Sequence, residues 1–195
     1  MNPLSVKSGQ VRLQRLGLTL VELMVTVAIT AVLIAVAVPS MQQMIAKRRV
    51  AGVVNELATD LRYLRSLGAQ KAVRVQLDFG SNLTSACYVL SLNPQTEEPC
   101  DCTNSASCNG VGTAPMAVKT VTLPISDGLA VSSDVSFLQF FGPSALPFQA
   151  IAPGGVLIIA TVSSSLGGTA RVWINETGRA VSCSVSGQEN NFPAC

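Results

Sequence analysis

Arg15-Leu16-Gly17-Leu18-Thr19-Leu20-Val21-Glu22-Leu23-Met24 opens an apolar stretch that continues as far as Val38. From Leu16 to Val38 there are 23 residues, and Glu22 supplies the one formal charge among them. A helix of that length rises about 35 Å, enough to cross a bilayer core of roughly 30 Å with some tilt. Lys7, Arg12 and Arg15 precede it, and basic residues on that side hold the N-terminus in the cytoplasm and send the rest of the chain outward. The chain therefore begins as a single membrane span. Glu22 is its anomaly, because a carboxylate placed in hydrocarbon costs about 2.5–3.5 kcal/mol or more unless something partners it.

Two plainer readings of this stretch compete. A secretory signal peptide has an apolar region of about 7–15 residues followed by an A-x-A-like cleavage site; this run is longer, and no such site follows it closely. A plain signal anchor in front of a periplasmic binding domain accounts for the length and the basic flank. It gives no reason for Glu22, or for a glycine at the boundary.

The spacing Gly17-x-Thr19-Leu20-x-Glu22-Leu23 resembles the N-terminus of the type IV pilin superfamily. Its members have a short basic leader ending in Gly, then an apolar helix with Glu at the fifth mature position. The resemblance implies that residues 1–17 are leader, that prepilin peptidase cuts between Gly17 and Leu18, and that the new amino group of Leu18 is N-methylated. Leu18 departs mildly from the Phe or Met usual there. Glu22 is then the assembly residue, facing the methylated ammonium of a neighbouring subunit. Pro39 falls where many members have a proline, and it kinks the helix without ending it. The implied location is the inner membrane, with the head in the periplasm before assembly into a filament. Prepilin peptidase, other pilins or pseudopilins and membrane lipid are the implied partners.

Beyond Pro39, Val50, Val53, Val54, Leu57, Leu61 and Leu64 recur at steps of three and four, an apolar stripe on a continuing helix. Lys47, Arg48, Arg49, Glu56, Asp60, Arg62 and Arg65 are expected on its other faces. The sequence divides into a leader at 1–17, a transmembrane and assembly helix at 18–39, its amphipathic continuation at 40–71, and a β-rich head at 72–195. Gly68 or Lys71 ends the helix. In the head the period changes to two, with strands expected at 73–79, 87–92, 118–123, 136–141, 156–162, 170–174 and 179–185. A long N-terminal helix packed on an antiparallel sheet follows, an α+β fold.

Six cysteines, Cys87, Cys100, Cys102, Cys108, Cys183 and Cys195, all follow the span. An even number confined to the exported part reads as disulfides. Cys183–Cys195 is the favoured pair, because the intervening segment with Gly187, Asn190, Asn191 and Pro193 loops back easily. Cys87, Cys100, Cys102 and Cys108 then pair among themselves, with Cys100 and Cys102 too close for an easy mutual bridge. A thiolate metal site is disfavoured by the spacing and by the absence of histidine from the chain.

The same absence removes Ser-His-Asp and Cys-His catalysis. No phosphate loop occurs, and no cofactor motif is present. Trp173 lies between Val172 and Ile174 and is expected in the core. The chain reads as a non-enzymatic subunit. Leu64-Arg65-Ser66 with Gln70-Lys71, and Val172-Trp173-Ile174 followed by Thr177-Gly178-Arg179, resemble the GspH/FimT branch of minor pilins and pseudopilins. That branch implies assembly of a type IV pilus or of a type II secretion pseudopilus, with a position at or near the tip that primes the filament. Some of its members bind DNA through Gly-Arg-x-Arg; here Gly178-Arg179-Ala180-Val181 lacks the second arginine. From residue 72 onward four basic residues face eight acidic ones, which further disfavours Arg179 as a nucleic-acid contact.

Overall fold

A computed structural model of the chain describes residues 19–92, 100–104, 108–111, 114–124, 128–141, 146–147, 155–185 and 192–195. Two compact units divide between Ser40 and Met41. One helix, α1 (Leu20–Lys71, 52 residues), supplies residues to both, and Pro39 lies inside it.

In the first unit, Thr19 caps the helix. Its carbonyl accepts the first helical bond, from the N–H of Leu23 at 3.1 Å, and its Oγ1 accepts the N–H of Glu22 at 3.2 Å, a donor that the helix start otherwise leaves open. The hydroxyls of Thr26 and Thr30 donate back to the carbonyls of Leu23 and Thr26, so these polar side chains sit in an apolar run without an open hydrogen bond. Residues 20–40 are exposed throughout. Among the described residues α1 is the one helix long and apolar enough to cross a membrane, by length and composition.

In the second unit, α1 buries Val50, Val54, Leu57, Ala58, Leu61 and Leu64. The helix passes Gly68 and ends at Lys71, where Ala72 takes a left-handed conformation with φ of 52°. Gly68 is needed for the packing that follows, since a Cβ there would stand 2.9 Å from Cγ2 of Val75.

The strands are β1 (Val75–Ser81), β2 (Ser85–Leu92), β3 (Met116–Pro124), β4 (Leu129–Ser132), β5 (Phe137–Phe141), β6 (Leu146–Pro147), β7 (Val156–Ser164), β8 (Gly168–Asn175) and β9 (Ala180–Ser184). The described residues show the expected fold, a long N-terminal helix packed on antiparallel sheet. The described strands form two antiparallel sheets, ordered β3-β2-β1-β5-β6 and β4-β7-β8-β9. The additional strands β4 and β6, of four and two residues, are too short for a period of two to register.

Both sheets turn one face to the same core as α1. Val75, Leu77, Tyr88, Leu90, Leu138 and Phe140 come from the first sheet; Ala160, Val162, Ala170, Val172 and Ile174 come from the second. Each buried Leu, Ile or Phe contributes about 1.5–3 kcal/mol relative to exposure, so the stripe on α1 is held by two sheets instead of one.

Candidate functional site

At the N-terminus, Glu22 occupies the third position of α1, in its first turn. There a carboxylate is favoured by the partial positive charge of the helix start. Thr19-x-x-Glu22 has the form of a capping box, a local signal that a reading centred on the buried charge overlooks. Gly17 and Leu18 lie outside the described residues.

All six cysteines are bonded, as Cys87–Cys102, Cys100–Cys108 and Cys183–Cys195. The first two bridges hold Cys102 to Cys87 of β2 and Cys108 to Cys100 on the outer face of the first sheet, where Val89, Cys100 and Cys108 form a second, smaller apolar cluster. Gly80 accommodates this cover: a Cβ there would stand 2.9 Å from Sγ of Cys102. Asp101, in the same turn, accepts the N–H of Thr103 at 2.8 Å and its hydroxyl at 2.7 Å. The hydroxyl first and the N–H second hold its carboxyl below the usual range.

Beneath this cover lies a buried polar group. Gln76, Asp78, Ser91 and Gln139 are fully enclosed. Gln139 Nε2 donates to Gln76 Oε1 at 2.6 Å, and Gln76 Nε2 donates to Asp78 Oδ1. Burial pushes the Asp78 carboxyl up to about 6, against the opposing effect of hydrogen bonds from Gln76, the Cys100 backbone and Ser91. These side chains alternate with the core residues Val75 and Leu77, so period two sends them to the opposite face.

The C-terminal segment returns to the second sheet. Ser184 N–H donates to the Pro193 carbonyl at 2.8 Å and Cys195 N–H to the Ser184 carbonyl at 3.0 Å, a parallel bridge of Ala194 to Ser184. Cys183–Cys195 closes beside it, and Phe192 packs on the main core.

Two placements differ from those read in the sequence. Asp60 does not lie on a solvated face of α1; it is 6% exposed and bound by Tyr88 and Lys119. Trp173 is not in the core. Val172 and Ile174 take the core positions of β8, and Trp173 lines a cavity on the outer face with Arg171. Arg179 is exposed at the β8–β9 turn, with its N–H on Asn175 Oδ1 at 2.8 Å. Among the described residues no group of three or more His, Cys, Asp or Glu side chains is placed to hold a metal ion.

Residues 12–38 match the model of the prokaryotic N-terminal methylation motif. The type IV minor pilin FimU of Pseudomonas aeruginosa is a similar solved structure, at 12% identity and a TM-score of 0.42, over 69% of this chain and 93% of that one. No curated protein matches the chain.

Proposed function

We propose that this chain is a non-enzymatic minor subunit of a type IV pilus-class filament, of the GspH/FimT kind. One observation carries the reading: the Gly17-to-Glu22 spacing stands at the head of an unbroken 52-residue helix whose distal half is built into a disulfide-bonded head. Prepilin peptidase cuts after Gly17 and methylates Leu18. The helix then leaves lipid for a bundle of like helices, and Glu22 meets the ammonium of a neighbouring Leu18. Charge compensation in a low dielectric makes that pairing selective for axial register. Residues 20–38 carry small and branched side chains suited to close helix packing. The cysteine-rich loop and tail favour a pilus over a secretion pseudopilus, and a place at or near the tip that primes assembly.

Mass spectrometry of the protein recovered from filaments tests this. The expected N-terminus is N-methylated Leu18, and Gly17→Glu should leave a full-length precursor in the membrane. A Met1 start in assembled filaments would overturn the reading.

A further inference from the structure

Arg171 and Trp173 stand next to one another on the outer face of β8. Ile158 of β7 and Val181 of β9 lie directly across from Trp173, and Thr161 and Cys183 lie across from Arg171. The returning tail raises a rim on this face with Pro193, Ala194 and Cys195, and the result is a cavity of about 340 Å³. Arg171 is the one charged side chain in its lining.

That cation is poorly served by the protein. Arg171 Nε is buried without a hydrogen-bond acceptor, and no carboxylate among the described residues pairs with Arg171. The other basic residues beyond Ala72 are placed differently. Arg74 Nε is likewise buried without an acceptor, but its guanidinium is covered by the Phe141 ring at 4.7 Å; Lys119 is bound by Glu56 and Asp60, and Arg179 is exposed at a turn. A desolvated guanidinium nitrogen left without an acceptor is a cost that an arriving anion removes. The planar fork of arginine suits a carboxylate in particular, through two parallel hydrogen bonds. Trp173 offers a flat apolar wall beside it, and the volume is near the lower end of ligand cavities, roughly 300–1,000 Å³.

We propose that this cavity binds a small organic acid, its carboxylate on Arg171 and its compact apolar or aromatic body against Trp173, Ile158 and Val181. A polyanion fits less well. A nucleic-acid strand needs several cations along its path, and Arg171 is the one cation in the lining. The site is independent of the N-terminal motif.

Trp173 is the only tryptophan of the chain, so its emission reports on the cavity. The full chain in dodecyl maltoside micelles is titrated with 3-phenylpropionate, with 3-phenylpropanol and 3-phenylpropylamine as neutral and cationic counterparts. The acid should give a saturable change in emission, with the alcohol and the amine weaker by at least about tenfold. Arg171→Gln should abolish the preference for acid over alcohol. Arg171→Lys, which keeps the charge and loses the fork, should retain part of it, and both variants should melt near the parent temperature. Equal responses to the three probes would mean partition into micelles and overturn the proposal, as would a preference that survives in Arg171→Gln. One further outcome counts against it: oligothymidylate binding more tightly than the acid.

Discussion

Lys119 Nζ lies 2.7 Å from Oδ2 of Asp60 and 2.9 Å from Oδ1. The contact joins β3 to α1 across 59 residues of sequence. Tyr88 of β2 donates its hydroxyl to the same Oδ2 at 2.9 Å, and Glu56, one turn before Asp60, accepts from Lys119 at 2.9 Å. Burial, and after it the Asp60 carboxylate, raise the Tyr88 phenol well above its ordinary range. The hydrogen bond to Asp60 holds the Lys119 ammonium above its own. A charge that would be costly on the inner side of a helix becomes a fastener between helix and sheet.

Removing one side of this cluster should therefore matter more than removing the other. Lys119→Met leaves a buried carboxylate with the Tyr88 hydroxyl alone, and a loss of about 2–3 kcal/mol is expected, somewhat below the range for fully enclosed pairs. Glu56→Gln should cost less than about 1 kcal/mol, because Glu56 is exposed. Urea unfolding of the two variants measures the difference; equal effects would count against a buried fastener.

Asp78 gives a pH dependence with a definite sign. Its carboxyl is raised by burial from the ordinary 3.8 to about 6, so between those values the folded state binds more protons than the unfolded one. Stability from this group is fully present below about pH 3.8 and is lost as pH rises through about 6. The span corresponds to about 2–3 kcal/mol. Asp78→Asn should flatten the profile between pH 4 and 7 and raise the melting temperature at neutral pH. A variant that keeps the parental slope would show that another group titrates there.

Gly167 marks a close approach between the β7–β8 hairpin and α1. A Cβ at this position would stand 2.7 Å from the carbonyl carbon and oxygen of Ala46, and backbone cannot move aside as a flexible side chain can. Gly167→Ala should lower the stability of the head by about 1–3 kcal/mol, in the range of an overpacked contact. Thermal melting measures this, and a neutral substitution would mean that the hairpin stands off the helix.

Cys183–Cys195 holds the tail beside β9. Closing a loop of 12 residues is expected to contribute about 3 kcal/mol in the chain-entropy model. Cys195→Ser should reduce the yield of folded head without stopping membrane insertion, which the earlier α1 segment directs. Non-reducing peptide mapping should recover a Cys183–Cys195 link together with Cys87–Cys102 and Cys100–Cys108. A peptide joining Cys195 to any residue of 87–108 would contradict the pairing.

The proposed intersubunit role of Glu22 is separable from its place in the first turn of α1. Glu22→Val should leave insertion intact or improved, because a charge is gone from the span, while incorporation beside neighbouring subunits falls. Fractionation of membranes and sheared filaments distinguishes these effects. Normal incorporation of the variant would make the intersubunit pairing unnecessary.

The sequence by itself determined the long helix, its passage through Pro39, the stripe from Val50 to Leu64 and most of the strands. Those features are written in local periodicity, and short-range packing needs nothing else. The tertiary structure decided how the strands divide into two sheets, because pairing partners such as β1 with β5 are chosen by long-range contacts. It also decided which face of β8 is buried: Val172-Trp173-Ile174 is apolar at every position, so alternation gives two faces without saying which one meets the core. Asp60 shows the same limit. On a helix viewed alone it is one charge among several, and it became a buried residue only when Tyr88 and Lys119 arrived from distant strands to compensate it.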